Sequence, residues 1–486
     1  MIPRKCASWL LVSQGLGWGT VAVAQAPVLA DKPIVADELE LTQPSPVGPE
    51  LSSERPSTPP SEHLLQAVAS APLRAVLSEV LERNPEVARS RRLAAAAMTR
   101  APQVRALPDP IAALQVFVLP PETRVGPQRL TASIQQHMPW FGKLALAERA
   151  ALYVAAAAEA EIETVRLDQL TEARRLAYEL AFQEAHEAIV RAERSALVRY
   201  EKAAQARYAA GTGLQQEIVR IQTQITRADT LLLEISERRL TLQAKLNQLR
   251  DRPARTPIAG LDPKVLGSWS RDLRFDSDEL ERQAMSRRPV LAAAAARIEA
   301  SSVMIEQAER DFRPDLTLGL SYTMVGRRDD KSGLLQPPED NGDDILALTG
   351  SVNLPVRRRK LEARVAEARE QRWAAEEAKR GIVVEIAGTI GDLSARIPLL
   401  VRHLDLLESV LSKQAREALR SAETAYSTGK LNAIDLLDAE VVLFEVRIAA
   451  ARTRTDLAVA LAQLERAVAG PLQAVAQESL PRGAKS

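Results

Sequence analysis

Two stretches of this chain, residues 143–208 and 357–427, read as single, very long helices. At 1.5 Å rise per residue each is about 100 Å long. No ordinary globular core surrounds an element of that length, so the chain must build something elongated. The remaining helices fall into two matching sets. The first holds 73–83, 85–106, 143–208 and 214–250, and the second 278–287, 289–312, 357–427 and 431–468. Their landmarks recur in the same order. Pro85 matches Pro289, Pro139 matches Pro355 and Gly211 matches Gly429, with offsets of 204, 216 and 218. Such drift is loop-sized, and it points to an internal duplication. In each half the two shorter helices, laid end to end, nearly match the long one. A long strut beside a two-piece strut is therefore the expected packing.

The helices after each glycine turn carry seam spacing. Ile218, Ile221, Ile225, Ala228, Leu232 and Ile235 step by three and four, and Leu242, Leu246 and Leu249 continue the frame past the single break at Arg239. Leu437, Val441, Phe444, Ile448, Ala451, Thr455, Ala458 and Ala462 repeat the pattern. This spacing requires an antiparallel neighbour along the whole seam.

Between the helices of each half lie two segments of period two. In 315–325, Leu316, Leu318, Leu320, Tyr322 and Met324 alternate with Thr317, Gly319, Ser321 and Thr323. In 344–354, Leu346, Leu348, Val352 and Leu354 oppose Ala347, Thr349, Ser351 and Asn353; in 129–138, Leu130, Ala132 and Ile134 oppose Thr131, Ser133, Gln135 and His137. Residues 111–119 are apolar on both faces apart from Gln115. These are strands with one apolar and one polar face, and at roughly 9–11 residues they have the length of transmembrane barrel strands. Four strands cannot close alone, and lipid tolerates no open edge. Three copies supply twelve strands, whereas two copies supply eight, too few for a water-filled bore.

Lys+Arg is 64 and Asp+Glu 63, a net charge of +1, which excludes a general polyanion binder, so no nucleic-acid partner is expected. Cys6 is the one cysteine, so a disulfide scaffold and a thiolate zinc site are excluded. Residues 1–26 read as a signal peptide: Arg4 and Lys5 precede an uncharged stretch ending in Ala22-Val23-Ala24 and Gln25-Ala26. Cys6 has no apolar run before it and is a poor lipid acceptor. Residues 27–72 read as a disordered leader, with seven prolines between 31 and 62. The remaining divisions are a first repeat at 73–250, a linker at 251–277, a second repeat at 278–470 and a tail at 471–486.

The Leu-x-x-Asn-Pro start at 81–85, Pro139-Trp140-Phe141-Gly142-Lys143, the paired Tyr-x-x-Gly turns and Ile-Asp-Leu-Leu-Asp-Ala-Glu at 434–440 together resemble the TolC-type outer-membrane efflux protein family. The resemblance covers about 73–470. It implies a mainly α fold with a β-barrel contribution, in which a duplicated helix–strand–strand–helix–helix unit trimerises. Four strands per chain then form a 12-stranded outer-membrane barrel above a long coiled-coil tunnel across the periplasm. It implies an exit duct working with a periplasmic adaptor and an inner-membrane pump. Pro-Trp-Phe-Gly-Lys looks most like the branch that serves resistance–nodulation–division pumps, heavy-metal exporters included. The resemblance places Asp435 and Asp438 at an acidic pore constriction, with Glu217 as the first-half counterpart. It makes Tyr208, Gly211, Tyr426 and Gly429 the adaptor-contact tips. Trp140 and Phe141, directly after a strand, suit a membrane–water boundary.

No catalytic constellation stands out, so no enzymatic activity and no cofactor are expected. His186 and His403 read as exposed helical histidines, since neither has a second histidine at i+4; His137 falls on a polar strand face. The competing reading is a soluble periplasmic coiled-coil scaffold or pump adaptor, but a scaffold has no use for four amphipathic strands in two pairs.

Overall fold

A computed structural model describes residues 59–267 and 273–472. The expected signal peptide, and the leader up to residue 58, lie outside the described residues. The chain runs α1 (Pro60–Ala67), α2 (Ala71–Arg83), α3 (Pro85–Arg105), β1 (Ile111–Val116), β2 (Glu122–Thr123), β3 (Gly126–Met138), α4 (Lys143–Ala209) and α5 (Gln215–Leu249). A 3-10 turn at Pro263–Leu266 leads to α6 (Ser277–Arg287), α7 (Pro289–Arg310), β4 (Leu316–Val325), α8 (Lys331–Leu335), β5 (Ile345–Val352) and α9 (Arg358–Asp405). A π-helical turn, Leu406–Leu411, joins α9 to α10 (Ser412–Ser427), and α11 (Ala433–Val468) follows.

The long helices carry the packing. α4 lies against α3, α5, α7 and α11, and α9 lies against α7 and α11. The seam residues of α5 face α4, with Ile221, Ala228, Ile235 and Leu246 buried. Arg239, the break in that seam, forms an ion pair with Glu187 of α4. A layer of short elements covers the middle of the helices. Leu73, Leu77 and Val80 of α2 and Leu266 of the 3-10 turn pack on Leu170, Ala173 and Ala177 of α4. Leu280 and Ala284 of α6 pack on Ile390, Leu393 and Ile397 of α9.

The two halves turn matching corners into this layer, each pinned differently. Asn84, buried, caps α3 by accepting from the amides of Glu86 and Val87 at 2.9 and 3.2 Å, and its Nδ2 donates to the Leu249 carbonyl at the end of α5 at 3.0 Å. At the corresponding corner Arg288 donates from Nη1 to the Arg466 carbonyl near the end of α11 at 2.7 Å. In both halves the residue before the helix-starting proline reaches a carbonyl in the last turn of a helix, and that of Arg466 also accepts from the Ala469 amide at 3.1 Å.

The strands form one antiparallel sheet in the order β1-β3-β4-β5, with β2 paired to β3 at the loop end. Register puts Ala112 beside Ile134, Ile134 beside Leu320, and Leu320 beside Leu348. The alternating apolar residues of β3 and β4 therefore share one face with Ala112, Leu114 and Val116 of β1 and Leu346, Leu348 and Val352 of β5, while Ile111, Ala113, Ile345 and Ala347 fall on the other. Gln115, Thr131 and Thr323 line up across the other face, where the hydroxyls of Thr131 and Thr323 hydrogen-bond at 2.9 Å. The apolar face is bare within the chain: Leu348 is 81% exposed. β1 and β5 each pair on one side only.

Five expectations need correction. Residues 60–67, expected to be disordered, form α1, with Leu64 and Val68 in the core; Pro60 sits at the first helical turn, where proline helps rather than breaks. The linker 251–277 contributes Val265 and Leu266 to that core. β1 ends at Val116 rather than 119, while β3 begins at Gly126 rather than 129. The helix expected over 357–427 contains the π-turn. His186, expected to be exposed, is half-buried against the Phe182 ring at 5.5 Å, and its Nε2 has no partner; burial, then Arg238, holds it below the ordinary histidine range. His403 is exposed, as expected. No described helix is long and apolar enough to cross a membrane.

Candidate functional site

Two helical hairpins, α4/α5 and α10/α11, end together, and their turns are built alike. Gly211 and Gly429 adopt φ of +74° and +76°, a left-handed conformation that glycine enters without steric cost. Around each, the glycine amide donates to the carbonyl of the tyrosine three residues back, at 3.0 Å for Tyr208 and 3.1 Å for Tyr426. Thr212 and Lys430 amides then close on the carbonyls of Arg207 and Ala425, both at 2.9 Å.

The side chains differ. Tyr208 is 49% exposed and Tyr426 only 4%. The Arg207 guanidinium lies 4.6 Å from the Tyr426 ring centre and donates to the Tyr426 carbonyl at 3.1 Å, tying one hairpin to the other. The Tyr426 hydroxyl and one carboxylate oxygen of Glu217 are both buried without a partner. Burial first, and the Glu217 charge second, push the Tyr426 hydroxyl up from its ordinary value.

The three acids of the expected constriction separate into two settings. Asp435 and Asp438 are exposed, three residues apart on one face of α11. Asn432 caps that helix, accepting from the amides of Ile434 and Asp435 at 2.9 and 3.0 Å. Neither aspartate makes a side-chain hydrogen bond to another described residue. Glu217 is half-buried and acts on Tyr426 within its own chain.

Further along the hairpins from the turns lies a group that sequence reading passed over. Val190, Glu193, Leu197, Tyr200 and Ala204 of α4 step by three and four, as do Ala433, Leu436 or Leu437, Glu440 and Leu443 of α11. Two glutamates thus occupy seam positions. Glu440 is only 5% exposed. The Tyr200 hydroxyl sits 2.7 Å from Glu423 Oε1 and 3.2 Å from Glu440 Oε2. An acid in an otherwise apolar seam was the available signal.

At the opposite end, the junction from β3 to α4 is locked. The Trp140 amide donates to Asp315 Oδ1 at 2.7 Å, and Lys143 Nζ donates to the same oxygen at 2.8 Å. Lys143 thus fastens the first half to the loop that starts β4. Trp140 and Phe141 meet edge to face with ring centres 5.9 Å apart, and Phe141 projects outward. His137 keeps to the polar sheet face, with Nδ1 3.2 Å from the Thr317 hydroxyl.

Residues 280–470 match the protein family described as Outer membrane efflux protein. The fold is similar to those of several solved outer-membrane proteins. VceC of Vibrio cholerae shares 21% identity over 85% of this chain and 99% of its own, with a TM-score of 0.66. The MtrE outer membrane channel of Neisseria gonorrhoeae, solved in an open state, shares 21% identity over 82% of this chain and 89% of its own, with a TM-score of 0.66. The CmeC outer membrane channel of Campylobacter jejuni shares 14% identity over 87% of this chain and 90% of its own, with a TM-score of 0.68. Among curated protein sequences none matches.

Proposed function

We propose that this chain is one of three identical subunits of an outer-membrane exit duct, the passive outer component of a tripartite efflux system. The observation that carries the reading is the sheet. One face is apolar on all four long strands and bare, the other is polar along β3 and β4, and both edges are open. A bare apolar face of barrel-strand length suits lipid, and open edges require neighbours in it. Three copies bring twelve strands. The polar residues then line a water-filled bore, and Trp140 and Phe141 fall at the level where chain leaves lipid for the periplasm. The helices continue the bore as a tunnel, and the efflux family match over the second half supports the same reading.

At the far end the exposed pair Asp435 and Asp438 forms rings of carboxylates in the threefold assembly, favouring cations at a narrow point. Glu217 belongs to the same tip but is half-buried, and its charge acts on Tyr426 of its own chain. The turns at Gly211 and Gly429, with the exposed Tyr208, are the surface offered to a periplasmic adaptor, and the buried Tyr426 supports the second turn from beneath. The energy comes from an inner-membrane pump, of the resistance–nodulation–division type by the Pro-Trp-Phe-Gly-Lys motif. Small molecules or metal ions are the cargo class.

Planar-bilayer recording tests this. The purified chain is expected to give discrete conductance steps with preference for cations. Asp435→Asn together with Asp438→Asn should bring the cation-to-anion permeability ratio down towards one, while Glu217→Gln leaves it close to the parent value. Absence of any conductance, or an unchanged ratio in the double variant, contradicts the reading.

A further inference from the structure

The Tyr200 hydroxyl has one proton and faces two carboxyl groups at hydrogen-bond distance, Glu423 at 2.7 Å and Glu440 at 3.2 Å. It can donate to only one of them. The second contact is a hydrogen bond only if that carboxyl holds a proton and donates it back to the tyrosine oxygen. Glu423 is exposed and the closer acceptor, whereas Glu440 is buried. The proton therefore belongs on Glu440, giving the chain Glu440–Tyr200–Glu423 across α11, α4 and α10. Glu193 stands two helical turns from Tyr200 on the same seam of α4.

We propose that Glu193 and Glu440 form a proton-operated latch between α4 and the α10/α11 hairpin. When both are neutral, the seam closes and the hairpin is seated. When they ionise, like charges in an apolar seam push it away from α4. The surroundings fit this assignment. The same seam carries an apolar cluster of Leu197, Ala433, Leu436 and Leu443, joined by Ile218, Ile221 and Ile225 of α5. Arg199 of α4 and Arg447 of α11 are the cations that act on Glu440, and Glu423 is the further anion. Burial raises the Glu440 carboxyl above its ordinary value, against the pull of Arg447. Glu193 is pushed up to about 7, first by burial and then by the Glu440 charge.

The sign follows from linkage. Both carboxyls titrate higher in the folded chain than in the unfolded one. The Glu193 contribution is complete at acidic pH, below the ordinary glutamate value, and is lost as pH rises through about 7, and that of Glu440 is likewise lost above the ordinary glutamate range. A tip that loosens at neutral pH and tightens on acidification would let the duct respond to proton release nearby. That use rests on the duct reading above, but the latch itself needs only one folded chain.

Spin labels at Lys202 of α4 and Arg420 of α10, both exposed, read the latch in the full chain held in lipid nanodiscs and diluted with unlabelled copies. The parent protein is expected to give a narrow distance distribution at pH 5.5 and a broader, longer one at pH 8. Glu193→Gln with Glu440→Gln should keep the pH 5.5 distribution throughout. Tyr200→Phe removes the oxygen to which protonated Glu440 donates, so its transition should move to lower pH. This variant also keeps the test open if the double variant does not fold. Distributions that are the same at both pH values in the parent, or that shift equally in parent and double variant, overturn the latch. Failure of the duct reading is separate, since it appears as missing conductance with these distances unaffected.

Discussion

The two tip turns, Tyr208-Ala-Ala-Gly211 and Tyr426-Ser-Thr-Gly429, have nearly the same backbone and opposite surroundings. Each closes through a left-handed glycine and the same pair of amide bonds. Yet Tyr208 stands in solvent, and Tyr426 is buried under Arg207 with Glu217 nearby. Duplication copied the local turn. The packing of one copy against the other then made the second tyrosine a core residue and left the first as surface. The acids divide in the same way, with Asp435 exposed and its counterpart Glu217 turned to internal work. Equivalent positions in a repeat therefore predict equal backbone, not equal function.

Three changes can break or sharpen this contrast. The largest effect is expected at the tyrosines. Tyr426→Ala removes a buried aromatic ring, worth about 3–5 kcal/mol, and should speed amide exchange across residues 419–440 by a hundredfold or more. Tyr208→Ala should stay within about 0.5 kcal/mol. Similar exchange in both variants would erase the contrast. Next comes Arg207→Ala, which loses the ring contact and the bond to the Tyr426 carbonyl. A cost of about 1–2 kcal/mol is expected, seen as faster exchange in the α10/α11 turn as well as in its own. Faster exchange in its own turn alone would mean the two hairpins are not tied through this residue. The glycine pair is the control. Gly211→Ala and Gly429→Ala should each cost about 1–2 kcal/mol, and by equal amounts, because both have open space around the α-carbon and only the backbone angle resists. Unequal losses would show that the turns differ in backbone after all.

Much of the architecture was legible in the residues. The α5 and α11 seams, the period-two strands and the Asn84-Pro85 and Arg288-Pro289 corners are local patterns, and local patterns survive into structure. Helix limits fall within two residues of expectation for most elements, as at 85–106 against Pro85–Arg105 and 431–468 against Ala433–Val468. Three features escaped for physical reasons. Prolines 56, 59 and 60 masked α1, whose stability comes from Leu64 reaching the core. The π-turn at Leu406–Leu411 leaves no composition signature, since one extra residue in a helical turn uses the same residue types. The Glu193–Tyr200–Glu440 group unites residues from two helices, so its meaning depends on which seams face each other. Of the three acids, Asp435 and Asp438 lie exposed near the turn and Glu217 is half-buried, a difference set by how the hairpins pack and not by the residue types.

A duct of this design requires separate chains to pool their strands, because a sheet with an apolar face and two open edges cannot end inside lipid. Native mass measurement of the protein extracted from membranes in mild detergent tests that directly. Three copies per particle, stable at high dilution, is the predicted result. A particle of one copy, with β1 and β5 still unpaired, would contradict it.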